Sequence, residues 1–301
     1  LAQAFPLRPI RLLIPFAAGG GTDIAARLLG ERLVEVLGQQ VIPDNRPGAN
    51  GVIAGEALRQ AEPDGHTLLV GTAAAFSAAT ALGQKLPYDV EKDFVSIAML
   101  GLFPTVLTVS PALGVRTLAD FVARAKAEPG KLNYASAGVG GTNHLVFEMI
   151  MRAGGIRLQH VPYRGAALAV PDLISGQVHA FVDSLASARP NIEAGKVVAL
   201  GVATSNRQPQ LPGLPTLKEQ GLDVIYPGWA SIVAPVGTPA AVVRRLNADI
   251  NRALGMDVIV ARFRDLVIEP ARWSPEEVAE FKRRDRALLT QLVREAGIKV
   301  E

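Results

Sequence analysis

Apolar runs that end near glycine and give way to a 3.6-residue periodicity recur along this chain. Ile10 to Phe16 reads as a buried strand, and Asp23 to Leu37 follows it with Ile24, Leu28, Leu29, Leu33 and Val36 on one helical face. Val41 to Pro43 predicts a second strand, Val52 to Gln60 a helix and Thr67 to Gly71 a third strand. A second series starts after Leu102: a helix from Thr117, its N-cap, to Ala127, then strand Leu132 to Ser136 and helix Thr142 to Ala153. Strand Leu158 to Val161, helix Ala167 to Ile174, strand Val178 to Asp183 and strand Val198 to Ala203 complete it. Strands alternating with helices predict an α/β protein with largely parallel, doubly wound sheets.

The C-terminal part has a different texture. Thr238-Pro239 and Ser274-Pro275-Glu276-Glu277 each place a capping residue and a proline at a first helical position, the second with a capping-box glutamate. The extended segments Ala98 to Val109 and Leu222 to Pro235 flank the second series. The simplest architecture is two lobes joined by two crossings. Lobe 1 is then discontinuous, residues 1–102 with 225–301, and lobe 2 is residues 103–224.

Composition narrows the function classes. Of the 301 residues 49% are hydrophobic and the formal net charge is only +3, which excludes a disordered chain. No apolar run reaches ~18 residues without glycine, proline or charge, so no membrane span is expected. Basic and acidic residues are interspersed, which argues against nucleic-acid binding. Cysteine is absent, and the histidines (His66, His144, His160, His179) lack H-E-x-x-H spacing. No metal and no cofactor is expected. Leu1-Ala2-Gln3-Ala4 reads like the surroundings of a signal-peptidase site and suggests export, the signal itself being absent from this chain.

Candidate chemistry lies in two similar loops. Phe16-Ala17-Ala18-Gly19-Gly20-Gly21-Thr22-Asp23 and Ser136-Ala137-Gly138-Val139-Gly140-Gly141-Thr142 each lead from a strand into a helix. Glycine lets the backbone approach a ligand, and first-turn N–H groups with the helix dipole attract a small anion. Neither loop contains Lys or Arg, so main-chain donors and hydroxyls carry the recognition, which favours a carboxylate over a polyphosphate. Asp183, ending a buried strand, is a candidate for a ligand amine or hydroxyl, or else a helix-capping acid. Asp23 either meets ligand or favours its own helix start, and Thr72 either adds a hydroxyl or is a plain loop threonine. Neither loop spells G-x-G-x-x-G and no Walker A motif exists. Asp44, however, stands where a ribose-binding acid stands in a dinucleotide fold, which leaves an NAD(P)-dependent dehydrogenase as the alternative. A periplasmic sensing partner of a signalling protein is the third reading. Ser136 lacks the first glycine of a nucleophile elbow, so catalysis finds little support.

The motifs Pro15-Phe16-Ala17-Ala18-Gly19-Gly20-Gly21-Thr22-Asp23, Asn45-Arg46-Pro47-Gly48-Ala49, Pro63-Asp64-Gly65-His66-Thr67, Leu86-Pro87-Tyr88-Asp89, Pro129-Gly130-Lys131-Leu132-Asn133-Tyr134-Ala135-Ser136-Ala137-Gly138 and Val161-Pro162-Tyr163-Arg164-Gly165 occur in order over nearly the whole chain. Together they resemble the Bug (TctC-like) receptors, extracytoplasmic solute-binding proteins of tripartite tricarboxylate transporters. The resemblance implies a type II periplasmic-binding-protein fold, α/β lobes closing on a ligand in the cleft between them, a periplasmic location and no enzymatic activity. Its implied partners are a small carboxylate (di- or tricarboxylate, amino acid or aromatic acid) and a membrane permease, for a receptor acting as a monomer. Carried onto this chain, it assigns ligand binding to Phe16, Ala17, Gly19, Gly20 and Asp23 in the first loop, to Ser136, Gly140, Gly141 and Thr142 in the second, and to Asp183. Two departures, the apolar Ala73-Ala74-Ala75-Phe76 and Gly141 in place of a hydroxyl residue, tilt the expectation toward an apolar or aromatic acid rather than citrate.

Overall fold

The computed structural model describes residues 5–19, 21–163 and 165–298. Gly20, Arg164 and the Leu1–Ala4 lead-in, on which expectations rested, lie outside the described residues. The chain runs through β1 (Ile10–Ile14), α1 (Gly21–Leu37), β2 (Val41–Asn45), α2 (Val52–Arg59) and β3 (Thr67–Thr72). A wide turn, Ala74–Ala78, then leads into the short α3 (Ala79–Ala81) and β4 (Phe94–Phe103). There follow β5 (Thr105–Val109), α4 (Leu118–Ala127), β6 (Asn133–Ser136), α5 (Thr142–Gly154), β7 (Gln159–Pro162), α6 (Ala166–Ser175), β8 (Ala180–Ser184), α7 (Leu185–Glu193) and β9 (Val198–Val202). The chain ends with β10 (Gly228–Pro235), α8 (Ala240–Leu254), α9 (Asp257–Asp265) and α10 (Pro275–Ala296).

These elements form two compact units. Unit 1 takes the chain up to Leu102 together with Trp229–Thr290; unit 2 takes Phe103–Gly228 and the chain from Gln291 onward. The last stretch therefore falls with unit 2 and not with the first lobe as chain order suggested. There Glu295 forms an ion pair with Arg152 of α5.

Unit 1 is built on a sheet of order β2-β1-β3-β10-β4. β1 is parallel to both β2 and β3, and its IRLLI sequence is buried at four of five positions, as a strand covered on both faces requires. Unit 2 has the order β7-β6-β8-β5-β9, with β6 parallel to β7 and β8. Neither sheet is as parallel as the alternation predicted. β10 is antiparallel to β3, and β5 is antiparallel to both β8 and β9. β4 and β5, separated by the single residue Pro104, lie in different sheets, so the chain passes from unit 1 to unit 2 there.

Local helix signals fared unevenly. Thr117 Oγ1 accepts the Asp120 N–H at 3.1 Å, as an N-cap should. Ser274 and Glu277 close a reciprocal capping box at 2.7 and 3.2 Å, fixing the start of α10. Thr238, by contrast, caps nothing: its hydroxyl donates to the Pro235 carbonyl at 2.8 Å, and Pro239 stands one residue ahead of α8.

The apolar stretch after β3 belongs to the core. The Phe76 ring is buried against Gly71, where an added Cβ would lie 2.5 Å from it, and packs edge-on to Phe94 at 5.5 Å. Ala73 and Ala75 are buried with it. Phe76 thus has a packing role that explains its apolar character without a ligand.

Candidate functional site

In unit 1, β1 ends at Ile14 and the chain reaches α1 through a loop in which Ala17, Ala18 and Gly19 are exposed and Phe16 is half-buried. Gly19 adopts φ 93°, a conformation suited to glycine. Asp23, the third residue of α1, is 2% exposed, and its carboxylate is fully engaged inward. It accepts the Gly19 N–H at 2.9 Å, Arg27 Nε at 3.0 and 2.9 Å on its two oxygens, and Asn45 Nδ2 at 2.8 Å. Asn45 also donates to the Phe16 carbonyl at 2.9 Å and accepts from Arg27 Nη2 at 2.6 Å. Burial pushes the Asp23 carboxyl up, but the hydrogen bonds of Arg27, Asn45 and Gly19 outweigh it and hold the group below the usual carboxylate range. Asp23 is thus the clamp of the loop. Thr72, 5% exposed at the end of β3, turns its hydroxyl to the Ala75 N–H at 3.5 Å.

In unit 2 the loop between β6 and α5 is pinned in a related way. Gly140, two residues before α5, donates its N–H to Nδ1 of His144, the third residue of that helix, at 3.0 Å. Gly19 stands in the same relation to Asp23 two residues before α1. Each turn is therefore closed by a side chain reaching back from the third helical residue, a relative of the capping box. Gly141 N–H is engaged with the Gly138 carbonyl at 3.2 Å, and its residue is the N-cap. Ser136 is fully buried: Oγ accepts the Gly138 N–H at 3.1 Å and shares a 2.6 Å hydrogen bond with His160 Nε2. The amides of Gly19, Gly140 and Gly141 therefore hold the loops. The N–H groups of the first helical turns, among them Thr22 in α1 and Thr142 and Asn143 in α5, precede any intrahelical acceptor.

Below the second loop lies a buried aromatic and polar stack that the chain's letters did not reveal. The His144 and His160 rings lie parallel at 4.0 Å, with Tyr134 stacked on His160 at 4.9 Å and on Phe147 at 4.0 Å. Tyr134 OH donates to Glu148 Oε1 at 2.7 Å, and His144 Nε2 faces the same oxygen at 3.6 Å. Burial, with neighbouring His144, depresses His160 to about 4, so it is neutral at pH 7. Burial also raises Glu148, but His144 and Tyr134 outweigh it and keep the carboxylate ionised. Burial first, and then Glu148, drive the Tyr134 phenol upward.

Asp183, at the end of β8, is 4% exposed. Its Oδ1 accepts the Ser184 N–H at 2.7 Å, while Oδ2 is buried with no hydrogen-bond partner among the described residues. Helix capping is done by Ser184, whose Oγ accepts the Ser187 N–H at 3.2 Å. Burial raises the Asp183 carboxyl and outweighs the opposing pull of the Ser187 side chain and the Ser184 amide. Asn143 Nδ2 donates to the Val182 carbonyl at 2.5 Å, which sets the first turn of α5 beside the end of β8 where Asp183 stands. Asp44, the acid of the dehydrogenase alternative, is held by Arg46 Nε at 3.0 and 3.1 Å and faces Arg11 at 3.6 Å. That leaves it ion-paired rather than offered to a ribose.

Arg27, Asn45 and Glu148 thus support the two loops without having been singled out, and so do His144 and His160, which the sequence offered only as histidines without metal-site spacing. Asn45 sat in the N-R-P-G-A motif, and the i, i+4 spacing of Gly19 to Asp23 and Gly140 to His144 was present in the sequence. The partnership of Ser136 with His160 needs the parallel register of β6 and β7, which pairs Tyr134 with His160 and Ser136 with Pro162.

One local prediction follows from the unit 1 clamp. Asp23→Ala removes an acceptor from charged and main-chain donors and should cost about 1.5–3 kcal/mol of stability in urea unfolding at pH 7. Because Asp23 titrates below its unfolded value, that contribution is present above about pH 4 and fades as pH falls below it. An unchanged midpoint at pH 7 would show that the clamp adds nothing.

Two α/β units, each with a glycine-rich strand-to-helix turn free of cationic residues, define a protein of the solute-binding class. The chain matches the model of the tripartite tricarboxylate transporter family receptor over residues 25–298 and belongs to that family. It is 33% identical to protein BugT of Bordetella pertussis over 302 residues, covering 100% of this chain and 93% of BugT. Among solved structures it is similar to an R. palustris protein with adipate, at TM-score 0.87 and 33% identity over 98% of this chain and 99% of the other. It is also similar to MatC from Rhodopseudomonas palustris with bound malate, at TM-score 0.82 and 33% identity over 96% and 100% of the two chains. The fold is that of periplasmic binding proteins: the chain is similar to the periplasmic binding protein BugD, at TM-score 0.83 and 31% identity over 99% of this chain and 100% of the other. Among the described residues no helix is long and apolar enough to cross a membrane.

Proposed function

We propose that this chain is an exported, periplasmic receptor that captures a small carboxylate and delivers it to the permease of a tripartite tricarboxylate-type transporter. The observation that carries the proposal is the repeated turn. In each unit a loop without Lys or Arg is locked by its own third helical residue, leaving first-turn amides and the Thr22 and Thr142 residues to meet an anion. The carboxylates bound by its relatives support the ligand class. Phe16, Ala17 and Thr142 contact the ligand; Asp23, Ser136, Gly140 and Gly141 shape the loops. Asp183 Oδ2, buried and without a hydrogen-bond partner among the described residues, accepts from a ligand hydroxyl or amine, which favours hydroxy- and amino-acid members of the class over purely aromatic acids. Capture is a population shift toward a closed state stabilised by ligand.

The test is native mass spectrometry for co-purified ligand, then thermal shift against malate, adipate, aspartate, citrate, benzoate and NAD(P). A ligand at ~100 times its Kd stabilises the native state by ~2.7 kcal/mol. Small-angle scattering of the free and loaded protein should show compaction with the acid that stabilises. Stabilisation by NAD(P) and by none of the acids would overturn the receptor reading.

A further inference from the structure

The two turns are closed by the same geometry but by different chemistry. In unit 1 the acceptor for the loop amide is the Asp23 carboxylate, which stays ionised through the neutral range. In unit 2 it is Nδ1 of an imidazole. An imidazole nitrogen accepts a hydrogen bond only while it carries no proton, so the 3.0 Å bond from Gly140 N–H fixes the neutral His144 ring as its Nε2–H tautomer. Everything packed around the ring agrees with that tautomer. Nε2 faces Glu148 Oε1 of the same helix, an acceptor for the Nε2 proton, and one ring face lies on the neutral His160 of β7. The third titratable neighbour, Tyr134 of β6, is occupied as a donor to Glu148. Protonation of His144 would place an N–H against the Gly140 N–H, donor facing donor, and open the turn directly before Thr142.

From this we infer that His144 is a positioning residue for the anion-receiving turn and a built-in pH sensor of affinity. While neutral it holds Gly140 and keeps the first turn of α5 aimed at the ligand; once protonated it releases the turn and the carboxylate with it. The unit 1 turn has no such response, since its acceptor is already a carboxylate. The inference rests on the receptor reading for its ligand and on the geometry within unit 2 for its switch.

Side-chain replacement separates the acceptor from the titration. In His144→Asn the amide oxygen occupies nearly the place of Nδ1 and never titrates; in His144→Gln it lies farther out, near the place of Nε2, and the Gly140 bond is lost. Isothermal titration with malate and with adipate at pH 7.5 should find His144→Gln about tenfold weaker than the parent and His144→Asn within about threefold of it. On acidification from pH 7.5 the parent should lose affinity while His144→Asn holds level. Equal affinities for parent and His144→Gln, or a parallel loss in His144→Asn, would overturn the inference. A readout without ligand keeps it testable if neither acid binds, an outcome that would count against the receptor reading and not against the switch. Nitrogen NMR at pH 7.5 should show unprotonated Nδ1 on His144, and the Gly140 amide should exchange at least tenfold faster in His144→Gln. A protonated Nδ1, or unchanged exchange, would refute the switch by itself.

Discussion

Taken from pH 7 to pH 4, a His160→Gln variant should lose about 3 kcal/mol less stability than the parent chain. His160 is held at about 4 by burial and by neighbouring His144, against 6.5 for an unperturbed histidine. The unfolded chain therefore takes up this proton first as pH falls. Stability linked to it is complete above about pH 6.5, declines through the window down to about pH 4 and levels off below, where both states are protonated. A difference of about 2.5 units corresponds to about 3 kcal/mol. Glutamine retains an acceptor near the Ser136 hydroxyl without titrating, so the packing at β6 and β7 is kept. Acids with depressed folded values for which His160 is not among the causes, Asp23 and Asp64 among them, lose stability at lower pH in both proteins and cancel in the comparison. Urea midpoints at pH 7, 5.5 and 4 measure it, and parallel curves for parent and variant would sink the prediction.

The second large effect belongs to Asp183. Asp183→Asn replaces a buried carboxylate, one oxygen of which has no hydrogen-bond partner among the described residues, by a neutral amide of the same shape. At pH 7 the variant should be more stable by about 1–3 kcal/mol, because the buried group no longer carries a charge that burial penalises. The folded value of Asp183 is raised, so the parent recovers this stability as pH falls, fully below about pH 4, and loses it as pH rises through the folded value. The advantage of the variant should therefore vanish on acidification. Binding should move the opposite way. If Oδ2 accepts from a ligand hydroxyl, affinity for malate falls by at least about tenfold in the variant while affinity for succinate, which lacks only that hydroxyl, changes little. Equal losses for both acids would remove Asp183 from ligand recognition. A gain in stability with a loss of binding is the pattern expected where a site is kept at the expense of the fold.

Much of this organisation is legible in the letters because it is local. Ser274 and Glu277 close their capping box, and Thr117 caps α4, because both devices need only the few residues they span. The two glycine-rich turns are visible for the same reason, since glycine followed by a first helical turn is a local statement about φ and free amides. Thr238 fails as a cap because a competing carbonyl, that of Pro235, takes its hydroxyl, and sequence pattern does not rank such competitors. The antiparallel direction of β5 and β10 is not legible in the pattern, because hydrophobic runs report burial on both faces, which parallel and enclosed antiparallel strands share. Phe76 looked like a ligand wall as long as its only known neighbours were those in the chain; Gly71, whose missing side chain makes room for the ring, decides otherwise.

By itself the sequence determined the α/β class, the family, and the two turns on which the carboxylate reading rests, because period, glycine placement and motif order survive without coordinates. Tertiary structure alone decided what those turns do with their own amides. It joined Gly19 to Asp23 and Asp23 to Arg27 and Asn45, stacked His144 on His160 with Tyr134 beside it, and left one oxygen of Asp183 buried without a partner among the described residues. Donor and acceptor satisfaction is a property of groups brought together from distant parts of the chain, and pKa follows from it through burial and neighbouring charge. A residue type names the chemistry available at a position; only packing determines whether that chemistry faces a ligand or holds the scaffold beneath it.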